Sequence, residues 1–357
     1  VTLRAAVVGT SFGGRIHVPA LRLAGFEVVA LVGQDPDRTA RRAERLGVER
    51  GCTSLTEALE WGLDAVSIAT PPATHAPLAH EAMAAGCHVL CEKPFTLTTA
   101  EAVGLAAAVA AEGLVGCVGH EFRWALDRAV AARAIAAGRI GEPVLVVHTS
   151  FIPMLRQFSM PAWWFDAGAG GGWLGASGSH LVDQLELWLG EISAVSAGMA
   201  TVLAGAAVED SFDVRFRCAG GAHGVLAQCA SAFGPSAGST RLVGTQGSIW
   251  LEGGRALLAD EANPDGAELA VPPDLELPDV GDEARGALAE MTRMELAPYV
   301  RLAEAFGRRI DGAPDAPGPR PATFADGVST MAVLEAIRSS AAAGGRWTEV
   351  VRGGTDG

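Results

Sequence analysis

Apolar and polar positions divide the chain into two parts. In the first third, short apolar runs at Leu3–Val8, Val28–Val32, Ala65–Ala69, His88–Cys91 and Val115–Gly119 read as strands. Between them, Ile16–Leu23, Asp37–Leu46, Pro77–Ala85 and Thr99–Ala111 carry helical spacing. Strands that are apolar throughout and alternate with helices imply a parallel sheet covered on both faces. Beyond residue 125 the rhythm changes. Ala125–Ala137 reads as one helix ended by Gly138, Val144–Thr149 as a strand and Leu181–Leu189 as a helix. From 193 to 258 strand candidates follow one another across Gly-rich turns, and Ser211–Arg217 alternates as a strand buried on one face does. Residues 259–284, rich in Asp, Glu, Pro and Gly, read as a long loop, and Thr323–Ala342 as a final helix.

The pattern predicts an α/β Rossmann domain over residues 1–122. An α+β domain with a large, mostly antiparallel open sheet is predicted to follow over 123–357. A chain of 357 residues, about half hydrophobic, can bury two such cores. Its net charge of −14, with no basic run interleaved with aromatics, argues against a nucleic-acid partner. No apolar run approaches the roughly 18 residues of a membrane span, and Val1-Thr2-Leu3-Arg4 lacks a signal-peptide layout. Six cysteines without metal spacing read as buried thiols in a cytoplasmic, disulfide-free protein with no metal site.

The turn after the first strand, Gly9-Thr10-Ser11-Phe12-Gly13-Gly14, approximates the dinucleotide fingerprint, with Ser11 in place of the middle glycine. Alone it is a common strand–helix turn. In this context Gly9 would permit the tight turn, Gly14 the close helix packing, and the helix start would receive a pyrophosphate. NAD sites usually place an acid at the end of the second strand. Here that position is Gly33, with Arg38 beyond it to meet a 2′-phosphate, although Asp35 argues the other way. The expectation is NADP, with NAD as the alternative. The third strand runs into Thr70-Pro71-Pro72, and His88–Cys91 runs into Glu92-Lys93-Pro94. Ligands of such sheets bind at this carboxyl edge, so Lys93 should emerge near the nicotinamide end.

"VVGTSFGGRIH", "VSIATPPATHAPLAHEAMAAGCHVLCEKP", "RIGEP", "GGGWLGASGSHLVDQLELWLG" and "LVGTQGSIWLEGG" together resemble the Gfo/Idh/MocA oxidoreductases. The resemblance spans nearly the whole chain. It implies NAD(P)-dependent oxidation or reduction of sugars, polyols or related alcohol and carbonyl compounds, with the motif lysine, here Lys93, touching coenzyme and substrate. It also places a coenzyme- or substrate-side arginine at Arg123, with Glu121 at the same edge, and an acid where this chain has Ala176. With that acid missing, Lys93 and His180 are the catalytic candidates. Asp183, three residues after His180, is expected to orient substrate or a histidine tautomer.

Further candidates are Glu92 on the coenzyme side, where it would also steady the turn, His75 near the coenzyme or equally a satisfied structural histidine, Trp164 near the coenzyme and Trp163 against substrate. The segment "PMLRQFSMPAWWF" reads equally as a partly apolar pocket wall or as core and subunit interface. A homo-oligomer through the second sheet is expected. Two rival functions remain at this point: a family member acting on a non-sugar, partly apolar compound, and a nucleotide-binding protein that has lost catalysis.

Overall fold

The structure is a computed structural model that describes residues 2–281, 289–315 and 319–353. It divides into two compact units. The first comprises residues 1–96, 100–125 and 276–327, and the second 97–99, 126–275 and 328–357. The boundary predicted at 122/123 therefore falls three residues later, and the stretch 276–327 returns to the first unit rather than staying with the second.

The first unit begins β1 (Arg4–Val8), α1 (Val18–Leu23), β2 (Glu27–Val32), α2 (Pro36–Leu46), β3 (Arg50–Cys52), α3 (Leu55–Leu59), β4 (Ala65–Ile68), α4 (His75–Ala84), β5 (His88–Cys91), α5 (Thr99–Ala111) and β6 (Gly116–Val118). The helical run before α1 starts with a π-type turn, Gly13–His17. The second unit carries α6 (Leu126–Ala136), β7 (Pro143–Phe151), α7 (Met154–Gln157), a π-type turn at Leu174–Gly178 and α8 (Ser179–Leu189). Seven strands follow it: β8 (Ile192–Ala200), β9 (Ser211–Cys218), β10 (His223–Cys229), β11 (Ala237–Gly244), β12 (Gly247–Glu252), β13 (Arg255–Asp260) and β14 (Ala267–Glu268). Then come α9 (Ala289–Ile310), β15 (Ala322–Thr323), α10 (Phe324–Ala342) and β16 (Thr348–Glu349).

In the first sheet the order is β15-β6-β5-β4-β1-β2-β3, parallel except for β15. Its inner strands β1, β4 and β5 are buried on both faces, hence their continuous apolar runs. The Asp35 side chain caps α2 by accepting from the Arg38 N–H at 2.8 Å. Helix α9 packs on the same core through Leu296, Tyr299, Leu302 and Phe306.

The second sheet has nine strands in the order β14-β13-β12-β11-β7-β10-β9-β8-β16. Only β7 and β10 pair in parallel. Strand β9 alternates buried and open positions, as its sequence predicts. The expected loop at 259–284 contains β14 and a short turn at Pro273–Leu275, and its last three residues lie outside the described ones.

Candidate active site

Gly9 has φ of +117°, and a Cβ there would strike the Ala69 carbonyl. Only glycine fits this turn. At Gly13 a Cβ would lie 2.8 Å from Val7 Cγ1, whereas at Gly14 the nearest atom is Leu46 Cδ1 at 3.2 Å. Gly13, rather than the expected Gly14, therefore sets the close approach of helix to sheet. This turn, with glycine at its first and last two positions and followed by a helical start, is the cradle a pyrophosphate needs, so Gly9, Thr10, Ser11, Phe12, Gly13 and Gly14 fit a dinucleotide.

The missing acid at Gly33 has a steric cause. A Cβ there would collide with Thr10 Cγ2 and lie 2.5 Å from Thr39 Oγ1. Arg42, unmarked by any motif, donates from Nη1 to Thr10 Oγ1 at 2.7 Å. Burial, then the charges of Arg38 and Arg45, lower the Arg42 pKa, so an anion at this spot would relieve like-charge repulsion. Arg38 itself is exposed.

At the next strand ends, Thr70-Pro71-Pro72 and Glu92-Lys93-Pro94 are joined by His75. His75 is wholly buried, with Nε2 2.8 Å from the Thr70 carbonyl and Nδ1 3.1 Å from the Pro94 carbonyl. It ties the two turns together from inside, as a satisfied structural histidine does. Lys93 is half-buried, and its peptide bond to Pro94 is cis.

Glu92 is the most engaged group at this edge. Its Oε1 accepts from the Tyr299 hydroxyl at 2.7 Å and lies 3.2 Å from His17 Nε2, while Oε2 accepts from the Lys93 N–H at 3.2 Å. His17 Nδ1 lies 2.6 Å from Ser67 Oγ. Burial alone would push the Glu92 carboxyl up, but His17, the Lys93 charge and Tyr299 together bring it below the usual range. Gly119 must lack a side chain because a Cβ there would lie 2.5 Å from Glu92 Oε1. Glu92 thus holds the Lys93 backbone in place, the steadying contact expected of it.

Glu121 is buried, and burial followed by the Glu92 charge raises its pKa well above the usual carboxylate range. Arg123 is also sunk in the first unit, where Nη1 donates to the Arg320 carbonyl at 3.1 Å and Nη2 lies 3.6 Å from Asp326. It anchors the approach to β15.

In the second unit, Ala176 lies half-exposed in the π-type turn, and His180 and Asp183 are buried one turn apart on α8. Trp163 and Trp164 are half-buried neighbours with ring centres 5.7 Å apart, and Trp164 lies 6.4 Å from Trp173. Trp164 and Trp173 help enclose a cavity of about 10 Å³ with Glu209, room for one water and not for a sugar ring. Among the described residues no group of three His, Cys, Asp or Glu side chains is placed to hold a metal, and no helix is long and apolar enough to cross a membrane.

A dinucleotide cradle with a braced lysine at the same sheet edge defines a nicotinamide-dependent oxidoreductase. The model of the oxidoreductase family with an NAD-binding Rossmann fold matches residues 3–120, and that of the GFO/IDH/MocA C-terminal domain matches 129–250. The chain belongs to this Gfo/Idh/MocA family. It is 31% identical to 1,5-anhydro-D-fructose reductase of Ensifer adhaerens over 65% of this chain and 70% of that one. It is 30% identical to levoglucosan dehydrogenase of Pseudarthrobacter phenanthrenivorans, but over only 56% of this chain and 54% of that one. A solved levoglucosan dehydrogenase in complex with NADH superposes with a TM-score of 0.82 at 25% identity, covering 98% of this chain and 100% of the other.

Proposed function

We propose that the chain interconverts a hydroxyl of a sugar or polyol and the corresponding carbonyl, with Lys93 handling the proton and His180 assisting. The observation that carries this reading is Lys93 at the end of β5, braced by Glu92 onto the helix that follows the Gly9–Gly14 turn. A bound nicotinamide would supply or accept the hydride. The Lys93 ammonium would donate to the substrate oxygen as negative charge develops there, and in the reverse direction the neutral Lys93 amine would take the hydroxyl proton. Relatives named for anhydrofructose, levoglucosan and inositol support the sugar class. The half-exposed Trp163 and Trp164 favour a second reading, a substrate with an apolar part.

NADP(H) is the favoured coenzyme, because Gly33 offers the ribose no acid while Arg38 and Arg42 crowd positive charge beside Thr10. The six thiols are all free, which suits a cytoplasmic setting. The open sheet face shows Val147, Phe151 and Val225 and suits a second copy of the chain.

Fluorescence titration with both coenzymes, followed by a panel of sugars and polyols, tests the reading. NADPH should bind more tightly than NADH, and Arg42→Ala should weaken NADPH roughly tenfold while sparing NADH, the scale of one charge-assisted contact. Equal or tighter NADH binding removes the coenzyme assignment and points to Asp35 at the ribose.

A further inference from the structure

Behind the turn that carries Ala176 runs a chain of buried polar groups that the proposed chemistry does not use. Ser177 Oγ donates to Gln228 Oε1 at 2.9 Å, Gln228 Nε2 lies 3.0 Å from His148 Nε2, and His148 Nδ1 lies 2.8 Å from Thr240 Oγ1. Gln228, His148 and Thr240 stand on the adjacent strands β10, β7 and β11. Their neighbours two positions away, Leu226, Val146 and Leu242, are fully buried and apolar. Polar groups so placed cost stability unless each is bonded. These form one continuous chain that ends at a half-exposed hydroxyl.

The chain has a direction. Burial first, and then the Arg128 charge, lowers the His148 pKa to about 4, so the ring is neutral. A neutral imidazole has one donor and one acceptor nitrogen. Gln228 presents Oε1 to Ser177 and its amide nitrogen to His148, so Nε2 accepts from the amide, Nδ1–H serves Thr240, and the single proton of Ser177 is committed to Gln228. Outward, Ser177 has only lone pairs to offer. It follows Ala176 by one residue and precedes His180 by three, a spacing that shares a helical face.

We propose that Ser177 is a substrate-contact residue that accepts a hydrogen bond from a substrate hydroxyl, with Gln228 and His148 as the positioning residues that fix its polarity. The inference rests on the sugar or polyol reading above. It selects ligands that bring an O–H donor over those presenting a carbonyl, ether or phosphate at this point.

The test is steady-state kinetics on the best panel substrate and its singly deoxygenated analogues, with melting temperature as the folding check. Ser177→Ala should raise KM about tenfold, the size of one lost hydrogen bond, with coenzyme KM unchanged and kcat nearly so. Ser177→Thr should restore KM to near the wild-type value. For one deoxy analogue, wild type and Ser177→Ala should have the same KM, which identifies the hydroxyl. Gln228→Met should raise the same KM, and the double variant should add little to it. An unchanged KM in folded Ser177→Ala, or an equal rise for every analogue, overturns the proposal while leaving Lys93 chemistry standing. A wild type inactive on the whole panel overturns both.

Discussion

His17 and His148 are both buried, and both are held through both ring nitrogens, yet their surroundings are opposite. In the first unit His17 lies between Ser67 and the Glu92 carboxylate, which also feels the Lys93 charge. In the second unit His148 lies between a threonine and an amide, and burial and the Arg128 charge both disfavour its protonation. A buried charge persists only where opposite charge and hydrogen-bond donors surround it, and the first network meets that condition. The second keeps charge out, and what it preserves is the direction of each hydrogen bond. The charged network suits proton handling and the neutral one suits orientation.

The largest expected break in this contrast is Lys93→Ala. Turnover should fall roughly 10²–10⁴-fold, the scale of a general acid/base group, while coenzyme still binds through the Gly9–Gly14 turn. Near-normal turnover in a folded, coenzyme-saturated variant would strip the charged network of its assigned purpose.

A pH titration of stability should separate the two networks. The His148 pKa is lowered, so between about pH 6.5 and about pH 4 the unfolded chain binds a proton that the native state refuses. Stability should therefore fall as pH drops across that window, by up to about 3 kcal/mol, and level off below it. Glu92 is also lowered, so its contribution is present above the unfolded carboxylate value of roughly 4.3 and is lost at more acid pH. Denaturant unfolding at stepped pH checks this: His148→Gln should flatten the upper window only, and a slope that persists assigns the effect to other groups.

Tyr299→Phe should have the smallest effect. Removing the hydroxyl that donates to Glu92 should cost about 1.5–3 kcal/mol, the range for a hydrogen bond to a charged group. Urea unfolding measures it, and no loss would mean that His17 and Lys93 hold the carboxylate unaided.

The parallel sheet was legible because strands buried on both faces leave unbroken apolar runs. His88–Cys91 and Thr99–Ala111 fall where their patterns place them. The turn at Gly9 was legible because its backbone admits nothing but glycine. Tyr299 was not. It is the only tyrosine in the chain, and its helix is separated by 207 residues from the carboxylate it meets. Nothing local marks such a pairing. Arg42 was hidden for a similar reason, since an arginine among four on one helix looks like a solvated face until Thr10 is seen beside it. For His75 and Arg123 motif position pointed to a ligand, and the structure adds what no motif shows: both are buried and bond to the Thr70, Pro94 and Arg320 carbonyls inside the fold.

The packing around Gly33 also constrains how this chain could change. Thr10 and Thr39 occupy the space a carboxylate at 33 would need, and Thr39 Oγ1 is itself buried without a hydrogen-bond partner. A lone Gly33→Asp exchange meets a collision before it can reach any ribose. Trimming Thr10 or Thr39 first removes the collision, but by itself gives nothing to the coenzyme. Any route to an acid at position 33 is therefore ordered, with a silent step before the useful one, and such an acid would enter this chain only on a prepared background.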